Sequence, residues 1–164
     1  MNRFVIFLML VIIPCAAKAG EMQDCNQGID AARSVKACTS IIEGKNSTTR
    51  LDAYVHRGFA LMELKQYKPA AADFTRAISM DPQHLFANIG RGAAFYNLGK
   101  HQNAIGDFTN GIKLSPSSPV GYFGRARAYE GAGNHQRAID DYSSAIERGH
   151  PDAPMFLEKL TKAQ

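Results

Sequence analysis

Displaced by 34 residues, this sequence falls back on itself. Arg57-Gly58 returns as Arg91-Gly92 and as Arg125-Ala126, and Asp73-Phe74 returns as Asp107-Phe108 and Asp141-Tyr142. Ala60, Ala94 and Ala128 form another series at the same offset. So do Ala70, Ala104 and Ala138, and Ile78, Ile112 and Ile146. A fixed period of this size restricts the chain to a stacked repeat, in which each unit buries its apolar face only against its neighbours.

Inside a unit the apolar spacing is helical. Tyr54, Gly58 and Leu61 fall three and four apart on one face, and Ala70, Phe74, Ala77 and Ile78 do the same further on. A short turn parts the two runs, Leu64 to Tyr67, and it gains a glycine in the later copies at Gly99 and Gly133. Pro82 and Pro116 close the second helix, because proline cannot continue a helix interior. The spacing predicts antiparallel hairpins near 51–64/67–80, 85–98/101–114 and 119–132/135–148.

The unit of Leu51 to His84 carries Tyr54, Gly58, Leu61, Ala70, Phe74, Ala77 and Pro82 at set places. These positions resemble the tetratricopeptide repeat family. The second unit, 85–118, keeps Gly92, Phe95, Ala104, Phe108 and Pro116 but departs at Asn88 and Gly111. The third, 119–152, keeps Tyr122, Ala126, Tyr129, Ala138, Tyr142 and Ala145, with His150 in place of the proline. The resemblance implies an all-α fold, an α-α solenoid (a tetratricopeptide-repeat superhelix) of antiparallel helix hairpins. Residues 153–164 are expected to form a capping helix, with Asp152 as its N-cap. Phe156, Leu157 and Leu160 turn inward there, and Glu158, Lys159 and Lys162 face water.

Residues 1–19 read as a secretory signal peptide: a basic start at Arg3, an apolar run from Phe4 to Ile13, and Ala17-Lys18-Ala19 as the small-x-small cleavage site. The run is too short for a spanning helix, although an uncleaved signal anchoring the chain in the inner membrane is the alternative. The expected location is therefore periplasmic or secreted. Loss of Arg3 and Lys18 would take the net charge from +4 to +2, so the basic balance argues for no anionic partner. No basic-aromatic stripe points to nucleic acid.

Cys25 and Cys38 then remain, and two cysteines in an exported chain read as one disulfide. Residues 20–48 look like a degenerate repeat. Ser34 to Ile42 aligns with Ala104 to Ile112, which puts Cys38 in the place of Phe108 and Cys25 in that of Phe95. The combination resembles exported bacterial repeat proteins with an N-terminal cysteine pair.

Neither a catalytic signature, a phosphate loop nor a cofactor motif appears, and the five histidines include no i, i+4 metal pair. The expectation is a non-catalytic module without metal or cofactor, and an enzyme or metal-dependent protein with a site not visible in the sequence is a rival reading. Arg57, Arg91 and Arg125 recur in step with Asp73, Asp107 and Asp141, which favours structural ion pairs over ligand contacts. In the family, the inner faces of the first helices line a concave groove. The resemblance places Val55, Phe59, Met62, Ile89, Ala93, Tyr96, Phe123, Arg127 and Glu130 on that surface. A protein or extended peptide is the implied partner, and self-association as a homodimer is the alternative. The positions at which one branch of the family grips a C-terminal carboxylate hold Val55, Phe59, Gly90, Val120 and Gly124 here. That particular specificity is not expected.

Overall fold

A computed structural model describes residues 15–26, 30–44 and 49–162 of the protein. Residues 1–14 of the expected signal lie outside the described residues. Among those described, the chain forms nine helices and no strand. They are α1 (Cys15–Asn26), α2 (Ala31–Glu43), α3 (Arg50–Glu63), α4 (Tyr67–Met80), α5 (Leu85–Asn97), α6 (His101–Leu114), α7 (Pro119–Gly131), α8 (His135–Glu147) and α9 (Ala153–Lys162).

Each helix packs on the one before and the one after it. In addition α1, α3, α5 and α7 touch in succession, whereas α4, α6 and α8 stay apart from one another. The odd-numbered helices therefore line the inner, concave side of an α-α solenoid. Three hairpins, α3–α4, α5–α6 and α7–α8, turn the same way. At each turn one residue takes a left-handed backbone: Lys65 (φ 57°), Gly99 (φ 71°) and Gly133 (φ 76°). The next N–H then reaches back to close the first helix, from Gln66 to the Leu61 carbonyl (2.8 Å), Lys100 to Phe95 (2.9 Å) and Asn134 to Tyr129 (2.8 Å).

The hairpins stack through an aromatic ring. Phe74 is fully buried, wedged between Gly58 of its own hairpin and Gly90 of the next. A Cβ would stand 2.7 Å from its ring at Gly58 and 2.5 Å at Gly90. Phe108 repeats this between Gly92 and Gly124. Burying each ring contributes about 1.5–3 kcal/mol, and the missing Cβ atoms are what let it in. Gly111, one of the two departures in the second repeat, makes room for the Ile89 side chain. The other, Asn88, is 1% exposed. Its amide donates to the Pro82 and His84 carbonyls at 3.2 and 3.0 Å, tying down the link between hairpins.

A polar ladder runs alongside. Arg57 grips Asp73 with two bonds of 2.7 Å, and Arg91–Asp107 and Arg125–Asp141 repeat the fork at 2.7–2.8 Å. The spare guanidinium nitrogen donates backwards to a threonine of the preceding unit: Arg57 to Thr39 (2.9 Å), Arg91 to Thr75 (3.4 Å) and Arg125 to Thr109 (3.2 Å). Each threonine hydroxyl accepts that bond and donates its own proton to a carbonyl four residues back, at 2.7 Å. The carboxylates are only 7–9% exposed, so each charge depends on its partner.

At the N-terminal end α1 and α2 form a smaller hairpin. Asp30 caps α2 through the Ala32 and Arg33 N–H groups. Cys25 and Cys38 are disulfide-bonded, with Cα atoms 4.9 Å apart. At the other end α9 packs on α8, with Ala153 and Leu160 buried. The anticipated cap of α9 is made by backbone rather than by side chain. The Asp152 carbonyl accepts from the Phe156 N–H at 3.3 Å, while the Asp152 N–H donates to His150.

Two stability tests follow from these contacts. Asp107→Ala strands the Arg91 guanidinium and should cost about 1–3 kcal/mol in urea unfolding, well above the cost of Glu158→Ala on the exposed face of α9. Equal losses would show the ladder to be energetically idle. Replacing both Cys25 and Cys38 by alanine reopens a loop with a separation of 13 residues, and should cost about 3 kcal/mol on loop entropy. A melting temperature unchanged by the replacement would contradict this.

Candidate functional site: the concave face

The inner face is built from three first helices that present equivalent positions at equal steps. At its N-terminal end Phe59 is 38% exposed, its ring edge-on to Phe74 with centroids 5.0 Å apart. Met62 is half-buried beside it. Along α5, Ala93 and Tyr96 are half-buried, and Phe86 at the rim is 63% exposed. Val120 holds the position of Phe86 one repeat later and is 48% exposed. Phe59, Met62, Ala93 and Phe86 form an open apolar strip across the first two repeats, and Val120 continues it at the start of the third.

The expected row differs from this strip in three places. Val55 is 5% exposed and packs in the core with Leu61 and Phe74, because its position on α3 turns toward the neighbouring helices. Ile89 likewise leans on α6, where Gly111 receives it. Phe123 is covered by the protein itself: His150 stacks on it at 3.9 Å and Phe156 of α9 meets it edge-on at 5.2 Å.

Arg127 and Glu130 are committed internally too. The Arg127 guanidinium lies 4.6 Å from the Tyr96 ring and 5.4 Å from that of Phe156, and it donates to the Tyr96 hydroxyl at 3.3 Å. Glu130 accepts a 2.6 Å bond from the Tyr142 hydroxyl. Burial, reinforced by that carboxylate, pushes the Tyr142 phenol well above its ordinary range. The C-terminal end of the face is thus plugged by an aromatic–arginine cluster, and the N-terminal end is open.

Other histidines have packing or capping work. His84 accepts from the Ala87 N–H at the start of α5, and His101 sits against Tyr96 and Gly131. Burial holds the His56 imidazole below its ordinary value; Asp52 pulls it up and His84 down. Among the described residues no group of three His, Cys, Asp or Glu is arranged to hold a metal. None of the described helices is long and apolar enough to cross a membrane.

Sequence reasoning did not single out Phe86, the aromatic–arginine plug, or the structural work of Gly90 and Gly124. The glycine signal was present, since Gly90 and Gly124 recur at the 34-residue step. Its meaning depended on a ring from the preceding repeat.

These features are those of a tetratricopeptide-repeat solenoid. Family models of the tetratricopeptide repeat match residues 51–84 and 123–160, so the chain carries two such repeats by sequence. No curated protein matches it. Among solved structures, MamA from residue 41 to its end, from Desulfovibrio magneticus RS-1, superposes with a TM-score of 0.80 at 15% identity, covering 90% of this chain and 84% of its own. The first such domain of Spaghetti (RPAP3), bound to the HSP90 peptide SRMEEVD, gives 0.67 at 21% identity, over 71% of this chain and 94% of that one. The second domain of human RPAP3, in complex with the HSP70 peptide SGPTIEEVD, gives 0.63 at 24%, over 66% and 92%.

If Arg127 holds α9 through its aromatic neighbours, Arg127→Ala removes cation–π contacts worth about 0.5–2 kcal/mol. Hydrogen exchange should then speed up selectively in α9 and at Tyr96. Exchange that rises evenly over all hairpins, or not at all, would show that the plug does not hold the end.

Proposed function

We propose that the protein is a non-catalytic interaction module that holds an apolar, extended segment of another protein on the inner face of α3 and α5. The observation that carries this reading is the strip on the side where the helices converge, with Phe59 and Phe86 exposed and Met62 and Ala93 half-buried. Isolated exposed apolar residues are ordinary; several in register on one concave face mark a contact surface. Related folds in complex with the HSP90 and HSP70 peptides support the class of function. Those peptides end in a carboxylate that a cationic clamp would hold. Val55, Phe59, Gly90, Val120 and Gly124 offer no such clamp here, so the partner belongs to a different chemistry.

Residues 1–19 and the Cys25–Cys38 bond together support delivery to an oxidising compartment, the periplasm or the exterior.

Each well-buried partner side chain would contribute about 1.5–3 kcal/mol before ordering costs. Phe59→Arg sets a charge at the open, N-terminal end of the strip. It should abolish peptide capture while helix content by circular dichroism stays constant. The melting temperature should fall only by what the edge contact with Phe74 contributes, about 0.5–1.5 kcal/mol. Capture that survives the substitution refutes the groove. Outright unfolding would show Phe59 to be core.

A further inference from the structure

Beside the disulfide, where α1 ends and α2 begins, a cavity of about 180 Å³ opens against α3, lined by Cys25, Asn26, Ser34, His56, Phe59 and Glu63. It exists because the first unit follows the repeat plan with smaller side chains. Thr39 receives Arg57 as Thr109 receives Arg125, which fixes the register in space. Cys38 then stands where Phe108 stands, and Cys25 and Asn26 occupy the places of Phe95 and Tyr96. Where the later junction has three aromatic rings, this one has a disulfide and an amide. The volume left is roughly that of six waters in the liquid, the scale of one long side chain.

We infer that this cavity is a subsite for one cationic side chain, lysine or arginine, of the segment held on the inner face; the inference rests on the groove reading above. The protein supplies the precedent. Two units along, the Arg127 guanidinium covers Tyr96 and bonds its hydroxyl; Arg127 and Tyr96 hold the places of Phe59 and Asn26, so the aromatic and polar sides are exchanged here. In the first junction Phe59 offers the aromatic wall and Glu63 the counter-charge. Glu63 is exposed and forms no ion pair among the described residues, whereas Asn97 and Gly131 hold its place in the later repeats.

Among the described residues no lysine or arginine lines the cavity. Arg57 is spent on Asp73, Arg33 on Asp24, and burial keeps His56 toward its neutral form. The Ser34 hydroxyl already donates to the Asp24 carbonyl at 3.0 Å, leaving the carboxylate of Glu63 as the recognising group.

The test uses the full chain and a displayed library of random 12-residue peptides. Selected peptides should combine apolar residues with a lysine or arginine at one preferred position. In calorimetry with a selected synthetic peptide, Glu63→Gln should weaken binding about two- to fivefold, as for an exposed charge pair. Replacing the peptide's cation by norleucine should weaken it equally. The two changes together should cost little more than either alone. Peptides that are captured without a preferred cation, or that bind Glu63→Gln as tightly as the parent, overturn the subsite and leave the groove standing. Failure to capture any peptide that Phe59→Arg rejects overturns both.

Discussion

An aromatic ring lodged between two glycines on different helices sets the geometry of this molecule. Phe74 can lie against Gly58 and Gly90 together only if α3, α4 and α5 approach to the distance of bare backbone. That fixes how far each hairpin rotates on the last, and with it the curvature that brings the odd-numbered helices together. Every property of the inner face is downstream of this contact. The ladder of arginine, aspartate and threonine adds direction to it. Each guanidinium satisfies a carboxylate in its own hairpin and a hydroxyl in the preceding one, so a register slip would leave a nearly buried carboxylate unpaired.

The period made the solenoid legible in the sequence, because a repeat of this length with helical spacing has few other solutions. Arg57, Arg91 and Arg125 could be matched to their aspartates for the same reason: recurrence at one offset ties two positions into one arrangement. The threonine arm of the ladder was not read, since it joins adjacent units and no pairing inside a single unit points to it. The inner face was legible only in outline. Periodicity tells which helix turn a residue occupies, and it put Val55 and Phe59 in one row. It does not tell how far neighbouring helices close over that turn, and Val55 is covered while Phe59 is not. Phe123, Arg127 and Glu130 escaped for another reason. Phe156 comes from α9, outside the repeat, and other residue types replace Arg127 and Glu130 in the other units, so no recurrence pointed to their bonds with Tyr96 and Tyr142.

The two ends of the stack solve the same problem by different means. An open solenoid exposes an apolar face at each terminus unless something covers it. At the N-terminal end a covalent bond replaces the aromatic wedge, and the smaller side chains leave a cavity. At the C-terminal end α9 takes the place of a further first helix and brings Phe156 onto Phe123. The inner face consequently has a closed end and an open one, which gives any bound segment a polarity.

The glycine–ring–glycine contact has one more consequence, for how such a chain can change length. The first and second units carry the wedge, at Phe74 and Phe108, and the second and third carry the socket that receives it, at Gly90 and Gly124. A duplicate of residues 85–118 placed after Ser118 would offer its Gly90 to Phe108, its Arg91 to Thr109 and its own Phe108 to Gly124. Two contacts at the junction would have to adjust, because Ala87 and Asn97 of the duplicate would stand where Gly121 and Gly131 now leave room for Ile112 and His101. The molecule is in this sense a ruler with interchangeable divisions, whose reach could be lengthened by copying a unit while both of its specialised ends stay as they are.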